Sequence, residues 1–100
     1  MSAELDLSKF IETRTFPRLV DDTEIERPHI RGRRIPVATI AHCAQNHGWG
    51  VGELAYNFGV SEAQVLASLL YYEENRELIE AQEAAYQEDL DEAYYRAHAG

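Results

Sequence analysis

Four side chains near the middle of the chain, His29, His42, Cys43 and His47, are of the types that bind metals or act as nucleophiles. Positions 42 and 47 are five apart, about 140° around a helix, and share no ligand face. Positions 43 and 47 do share one, but two ligands on one turn are too few for a closed zinc site, and no second Cys/His pair at ligand spacing follows. His47, at the end of an expected helix, is accounted for by the helix dipole. Cys43 falls mid-helix beside an apolar stripe, where a thiol is usually inert. Gly48-Trp49-Gly50-Val51-Gly52 has neither the preceding strand nor the lysine of a phosphate-binding loop, and Trp49 fits better as an apolar plug between helices. The acids of residues 73–100 are spaced along a surface rather than paired for acid–base work. The expectation is a protein without catalytic residues, metal or cofactor.

Arg27, Arg31, Arg33 and Arg34 form the one basic cluster. Such a group could grip phosphate or a carboxylate. Local pairing with Asp21, Asp22, Glu24 and Glu26 just upstream is the favoured alternative, since those acids are close in sequence and equal in number.

The elements that position these residues follow from local signals. Residues 1–24 form an arm: Thr13, Thr15, Phe16 and Val20 favour extended backbone, and Pro17 prevents a regular helix. A tight turn at Arg31-Gly32 between short strands predicts a hairpin over 25–35, with Pro28 on an edge. Pro36 opens a helix whose apolar face is Val37, Ile40, Ala41 and Ala44, closed by His47-Gly48. A short helix over 51–58 buries Leu54, Ala55 and Phe58, and Gly59 ends it. Ser61 and Gln64 make a capping box for a third helix, expected to bury Val65, Leu66, Leu69 and Leu70 and to expose Glu62, Gln64, Ser68 and Tyr71. This is the order of a helix-turn-helix unit. The architecture expected is mainly α: a three-helix, helix-turn-helix-like core at 25–75, the N-terminal arm or hairpin, and a long acidic helix over 76–100, one domain overall.

From 62 to 99 there is neither proline nor glycine, so either one helix runs through or a new one starts at Asn75. Ile79, Tyr86, Leu90, Ala93 and Ala97 form an apolar stripe too thin to hold a helix alone. It needs the domain itself, a second copy or another protein. Tyr71, Tyr72, Tyr94 and Tyr95 suit an interface or the domain's own core.

Charge divides the same way. Residues 1–36 carry seven acids and seven bases, 37–72 only Glu53 and Glu62, and 73–100 nine acids against Arg76 and Arg96. An acidic third argues against wrapping nucleic acid there and fits a basic protein partner or a solvated helix. No run approaches the ~18 apolar residues of a membrane span, and residues 1–10 lack the apolar stretch of a secretory signal. One cysteine excludes an intramolecular disulfide and favours a reducing compartment, so the expected location is the cytoplasm.

The string Arg27-Pro28-His29-Ile30-Arg31-Gly32-Arg33-Arg34-Ile35-Pro36-Val37, with Ile40 after it, resembles the opening motif of domain-of-unknown-function family 433. The resemblance extends over about 25–79. Glu26 stands where the family usually has glycine, and Arg33 where it usually has threonine. The resemblance implies a helix-turn-helix-like domain of the VapB-like antitoxin type, encoded beside a PIN-like ribonuclease toxin, with promoter binding common and no catalysis.

Two functional expectations result. One is an antitoxin-like binding protein, a homodimer that docks a PIN-like toxin through Ile79, Tyr86, Leu90, Ala93 and Tyr94 and contacts its own promoter DNA. The other is a stand-alone helix-turn-helix transcriptional regulator. In either case the residues that would meet DNA are Arg27, Arg31, Arg33, Arg34, Gln64 and Ser68. Since no Lys or Arg lies between Arg34 and Arg76, the third helix is a poor reader by itself. A chain ending at Asn75 is expected to keep its fold.

Overall fold

The computed structural model describes residues 6–99. After a 3-10 turn at Leu7–Lys9, strand β1 covers Ile11–Pro17 and strand β2 Glu24–Ile30. They pair antiparallel, with Ile11 opposite Ile30 and Pro17 opposite Glu24. The chain reverses over 18–23, where the Asp21 carboxylate accepts the Thr23 N–H at 2.8 Å and the Arg18 N–H donates to the Thr23 carbonyl at 3.0 Å.

This hairpin differs from the expected one. The turn at Arg31-Gly32 does form, with Gly32 at φ 76°. Beyond it, however, the chain gives only one bridge, Pro36 to His29, because Pro36 caps a helix immediately. The strand that pairs with β2 comes instead from the N-terminal arm.

Four helices follow. Helix α1, Val37–His47, begins after Pro36 and ends at Gly48 with φ 64°. Helix α2, Val51–Phe58, ends at Gly59 with φ 65°. Helix α3, Glu62–Glu74, starts at the Ser61–Gln64 capping box, with both reciprocal bonds made, 2.7 and 3.1 Å. At Asn75 the backbone leaves helical geometry (φ −131°, ψ 27°) and its N–H donates to the carbonyls of Tyr71 and Tyr72. Its carbonyl then accepts from Ile79, and helix α4 runs Arg76–His98. At 23 residues α4 is about 34 Å long.

The core has two parts with α1 between them. Ile11, Val37, Ala38, Ala41, Tyr72 and Ile79 form one. Ile30, Ile40, Leu54 and Val65 form the other, with Trp49, Phe58 and Leu69 packed around it. Of the residues expected inside α3, Val65 is buried and Leu69 is partly so, whereas Leu66 and Leu70 are 52% and 42% exposed. Ser68, expected outside, is fully buried. The helix is apolar almost all round, so hydrophobicity alone does not choose its inward face. Ser68 can turn inward because its hydroxyl donates to the Gln64 carbonyl at 2.8 Å.

Leu54→Ala should destabilise the protein by about 2–5 kcal/mol, as a truncation in a packed core does. Leu66→Ala should change stability by no more than about 0.5 kcal/mol, as expected of an exposed position. Urea titrations of both variants against the wild type check this pair.

Candidate functional site

The inner face of the hairpin is Glu12, Arg14 and Phe16 on β1, Arg18 just after it, and Ile25, Arg27 and His29 on β2, and α4 lies across it. Arg27 is the centre of that contact. Its Nε and Nη2 donate to the two carboxylate oxygens of Glu83 at 2.7 and 2.9 Å. The guanidinium stands 3.7 Å from the centroid of the Tyr86 ring and 5.7 Å from that of Phe16. Further along, Arg18 lies 3.5 Å from both Glu88 and Asp89.

The rest of the arginine cluster is dispersed. Arg31 donates to the carbonyls of Ser8 and Ile11 at 2.8 and 2.9 Å. Arg33 donates to the carbonyls of Gly59 and Phe58, the exposed end of α2, at 2.9 and 3.2 Å. Arg34 is exposed and makes no side-chain bond among the described residues. The acids just upstream are not the partners: Arg27 pairs with a residue 56 positions away. Glu12 gathers the turn, and its carboxyl is held below the ordinary range first by the Gly32 N–H and then by Arg14. Gln64 accepts the Ser61 N–H through its side-chain oxygen, and Ser68 is buried with its hydroxyl bonded within α3, so that hydroxyl is not free to meet nucleic acid.

The α4 stripe is divided. Ile79 is 1% exposed in the core and Tyr86 meets Phe16 edge-on, so these two residues bind the chain itself rather than a partner. The break at Asn75 is what folds α4 back onto the hairpin. Leu90 is 45% exposed, Tyr94 and Tyr95 more so, and Ala93 is exposed. Tyr94 stacks on His98 at 4.1 Å. Glu88, Asp91 and Glu92 with Tyr95 line a shallow cleft beside them.

The histidines and Cys43 are accounted for by packing. His42 Nε2 is 2.7 Å from Glu80, and the Tyr72 hydroxyl donates to the same oxygen at 2.6 Å, joining α1, α3 and α4. Those two bonds, Tyr72 first, hold the Glu80 carboxyl below its ordinary range, while burial pushes the Tyr72 hydroxyl up. His47 stacks on Trp49, and Cys43 packs beside the Leu54 cluster. Among the described residues no three His, Cys, Asp or Glu side chains gather as a metal-ligand set.

The residues missed in the sequence are Leu66, Leu69 and Leu70, which with Glu73 line an apolar groove on the outside of α3. The signal was there in Val65-Leu66-Ala67-Ser68-Leu69-Leu70: a helix apolar on two sides has one side to spare.

Residues 26–72 match the family model described as Protein of unknown function (DUF433), and this segment, a little under half the chain, supports that family for its central part. No curated protein and no solved structure matches the chain. No helix among the described residues is long and apolar enough to cross a membrane.

Glu83→Ala strands the buried Arg27 and should cost about 3 kcal/mol or more, whereas Arg27→Met with Glu83→Leu should restore much of the loss; chemical denaturation of the single and double variants measures both. Burial, with Arg27 and Arg14 nearby, holds the His29 imidazole below its ordinary 6.5, against the bond to the Arg27 carbonyl. The folded chain therefore prefers neutral His29, and its contribution is full above pH 6.5 and lost as pH falls through the folded value. His29→Phe should flatten the stability profile on the acid side of neutrality, as read from melts across that range.

Proposed function

We propose that this is a non-catalytic binding protein, the antitoxin-like member of a toxin–antitoxin pair, acting in the cytoplasm on a PIN-like ribonuclease. The observation that carries the reading is the outer part of α4, where Leu90, Tyr94 and Tyr95 are exposed beside Glu88, Asp91 and Glu92. Aromatic side chains on a rigid helix supply contact area, and acids at the rim complement a basic surface. On a ribonuclease that basic surface is where RNA phosphates sit, so an acidic helix blocks substrate by occupying their place. The antitoxin class itself is suggested by the sequence resemblance over 25–79; the family model matched at residues 26–72 is described as of unknown function.

Helix α2, the turn at Gly59 and α3 are read here as the helix-turn-helix-type unit, and a homodimer as the form that contacts promoter DNA. Arg34, exposed on the turn after β2, is then the first phosphate contact, doubled by the second copy. The stand-alone regulator fits less well, because Arg27, Arg31 and Arg33 are all bonded within the chain.

The docking element is narrower than residues 76–97. A chain ending at Asn75 would lose Ile79, Glu83 and Tyr86 from the core and the hairpin, so the expectation that it stays folded is replaced by the opposite one. The test uses the full chain with Leu90→Ala, Tyr94→Ala and Tyr95→Ala, co-expressed with a candidate PIN-like ribonuclease. Thermal melts should overlay the wild type while affinity for the toxin falls about 30-fold or more. Unchanged co-purification and neutralisation would sink the reading.

A further inference from the structure

The sheet has only two strands, so β2 has a second edge. The bonds that flank the ladder set its phase. Arg31 N–H donates to Phe10 at 2.7 Å and Arg18 N–H to Thr23 at 3.0 Å. With the register of the pairs, this makes 12/29, 14/27 and 16/25 the hydrogen-bonded pairs. The N–H and C=O groups of Glu24, Glu26 and Ile30 and the C=O of Pro28 therefore point away from β1. Near one end that outer edge is in use: Ile30 N–H donates to Ile35 at 2.9 Å, and Pro36 bridges His29. At the other end, among the described residues, no partner strand covers Glu24 or Glu26. Two residues there present two donors and two acceptors at strand spacing.

This open edge borders a cleft. Thr23, Glu24, Ile25 and Glu26 form one wall, Ala81, Gln82 and Ala85 of α4 the other, with Arg18 at the side and a volume of about 360 Å³. The two alanines, one turn apart, leave the room that larger residues would fill. Arg18 Nε and Gln82 Oε1 are buried without a partner among the described residues.

We infer that the outer edge of β2 at Glu24–Glu26 is a strand-addition site that takes an extended, lysine- or arginine-bearing segment of another protein as a third strand. Charge selects the occupant. Glu24 and Glu26 are exposed on one face of the strand, and Glu88 and Asp89 stand nearby on α4, holding Arg18. A second copy paired antiparallel about Ile25 would set Glu24 opposite Glu26 twice, like charge on like charge. The two glutamates thus bar self-pairing, as charges on free edges commonly do, and favour a basic strand. The strand edge itself lies apart from the outer part of α4, with Glu88, bonded to Arg18, bordering both, and it stands whether or not a toxin binds there.

The test titrates the isotope-labelled full chain with an end-blocked peptide of alternating lysine and valine, at millimolar concentration, and follows backbone amides by NMR. The Glu24 and Glu26 amides should shift and their hydrogen exchange should slow. A glutamate–valine peptide of equal length should leave them unmoved. Glu26→Pro deletes an outward N–H without touching the ladder and should abolish the response. The same lysine–valine peptide N-methylated at every residue keeps its charge, loses the N–H donors of both edges, and should also fail, with no change to the protein. Shifts confined to the acids of α4, an equal response to the acidic or the N-methylated peptide, or binding that survives Glu26→Pro would each overturn the inference. So would a dimer in light scattering that Glu26→Pro dissolves, because the occupant would then be a second copy.

Discussion

Everything peripheral in this fold depends on one buried cation. Arg27 is 7% exposed, and a guanidinium cannot shed its charge to suit such a place. It must be met by an anion and by π faces, and Glu83, Tyr86 and Phe16 do so together. A buried ion pair offers little net stability against a hydrophobic pair of the same shape, but it tolerates few geometries. Its value here is registration. With Glu83 clamped on Arg27, the rotation and slide of α4 along the hairpin are fixed. Tyr86 then falls on Phe16, and Asp89 within reach of Arg18. The same rotation turns Leu90, Tyr94 and Tyr95 outward.

How much of this was legible follows the range of the signals. Pro36 and Gly48, Gly59, and the Ser61–Gln64 box mark helix ends by rules that act within four residues, and the helices lie where those residues put them. The choice at Asn75 stayed open because nothing local forces a break there; the asparagine side chain donating to the Tyr71 carbonyl supports one once the tertiary fold asks for it. Pairing was not legible. Arg27 had four acids close by in sequence, yet strand alternation puts Glu24 and Glu26 on the opposite face, and its partner lies in the last helix. The inward face of α3 is hidden from the sequence for a related reason: Leu66 and Val65 are alike as hydrophobes, and only the surface they meet separates them. Of the arginines proposed to touch nucleic acid, Arg31 and Arg33 bond main-chain carbonyls and Arg27 a distant carboxylate, something composition does not reveal.

The fold leaves apolar surface uncovered on both α3 and α4 while carrying a net charge of −9. Leu66, Leu70 and Leu78 are among the exposed side chains. Repulsion between like-charged copies keeps such surfaces apart at long range without occluding them. A basic partner feels the same field as attraction. Charge here therefore sorts encounters before contact, and the apolar residues act only on those that arrive.

The 56-residue span between Arg27 and Glu83 also bears on how the molecule is made. Synthesis proceeds from the N-terminus, and the hairpin leaves the ribosome long before its counter-ion does. Until Glu83 emerges, Arg27 has only water to satisfy it, and the inner face of β1 and β2 has no cover. The nascent hairpin must wait for α4 before its inner face is covered. A message broken or a ribosome stalled short of that point yields no smaller working version of the protein. It yields a chain with an open sheet and a bare cation, the kind of surface that chaperones and proteases of any cell are built to notice.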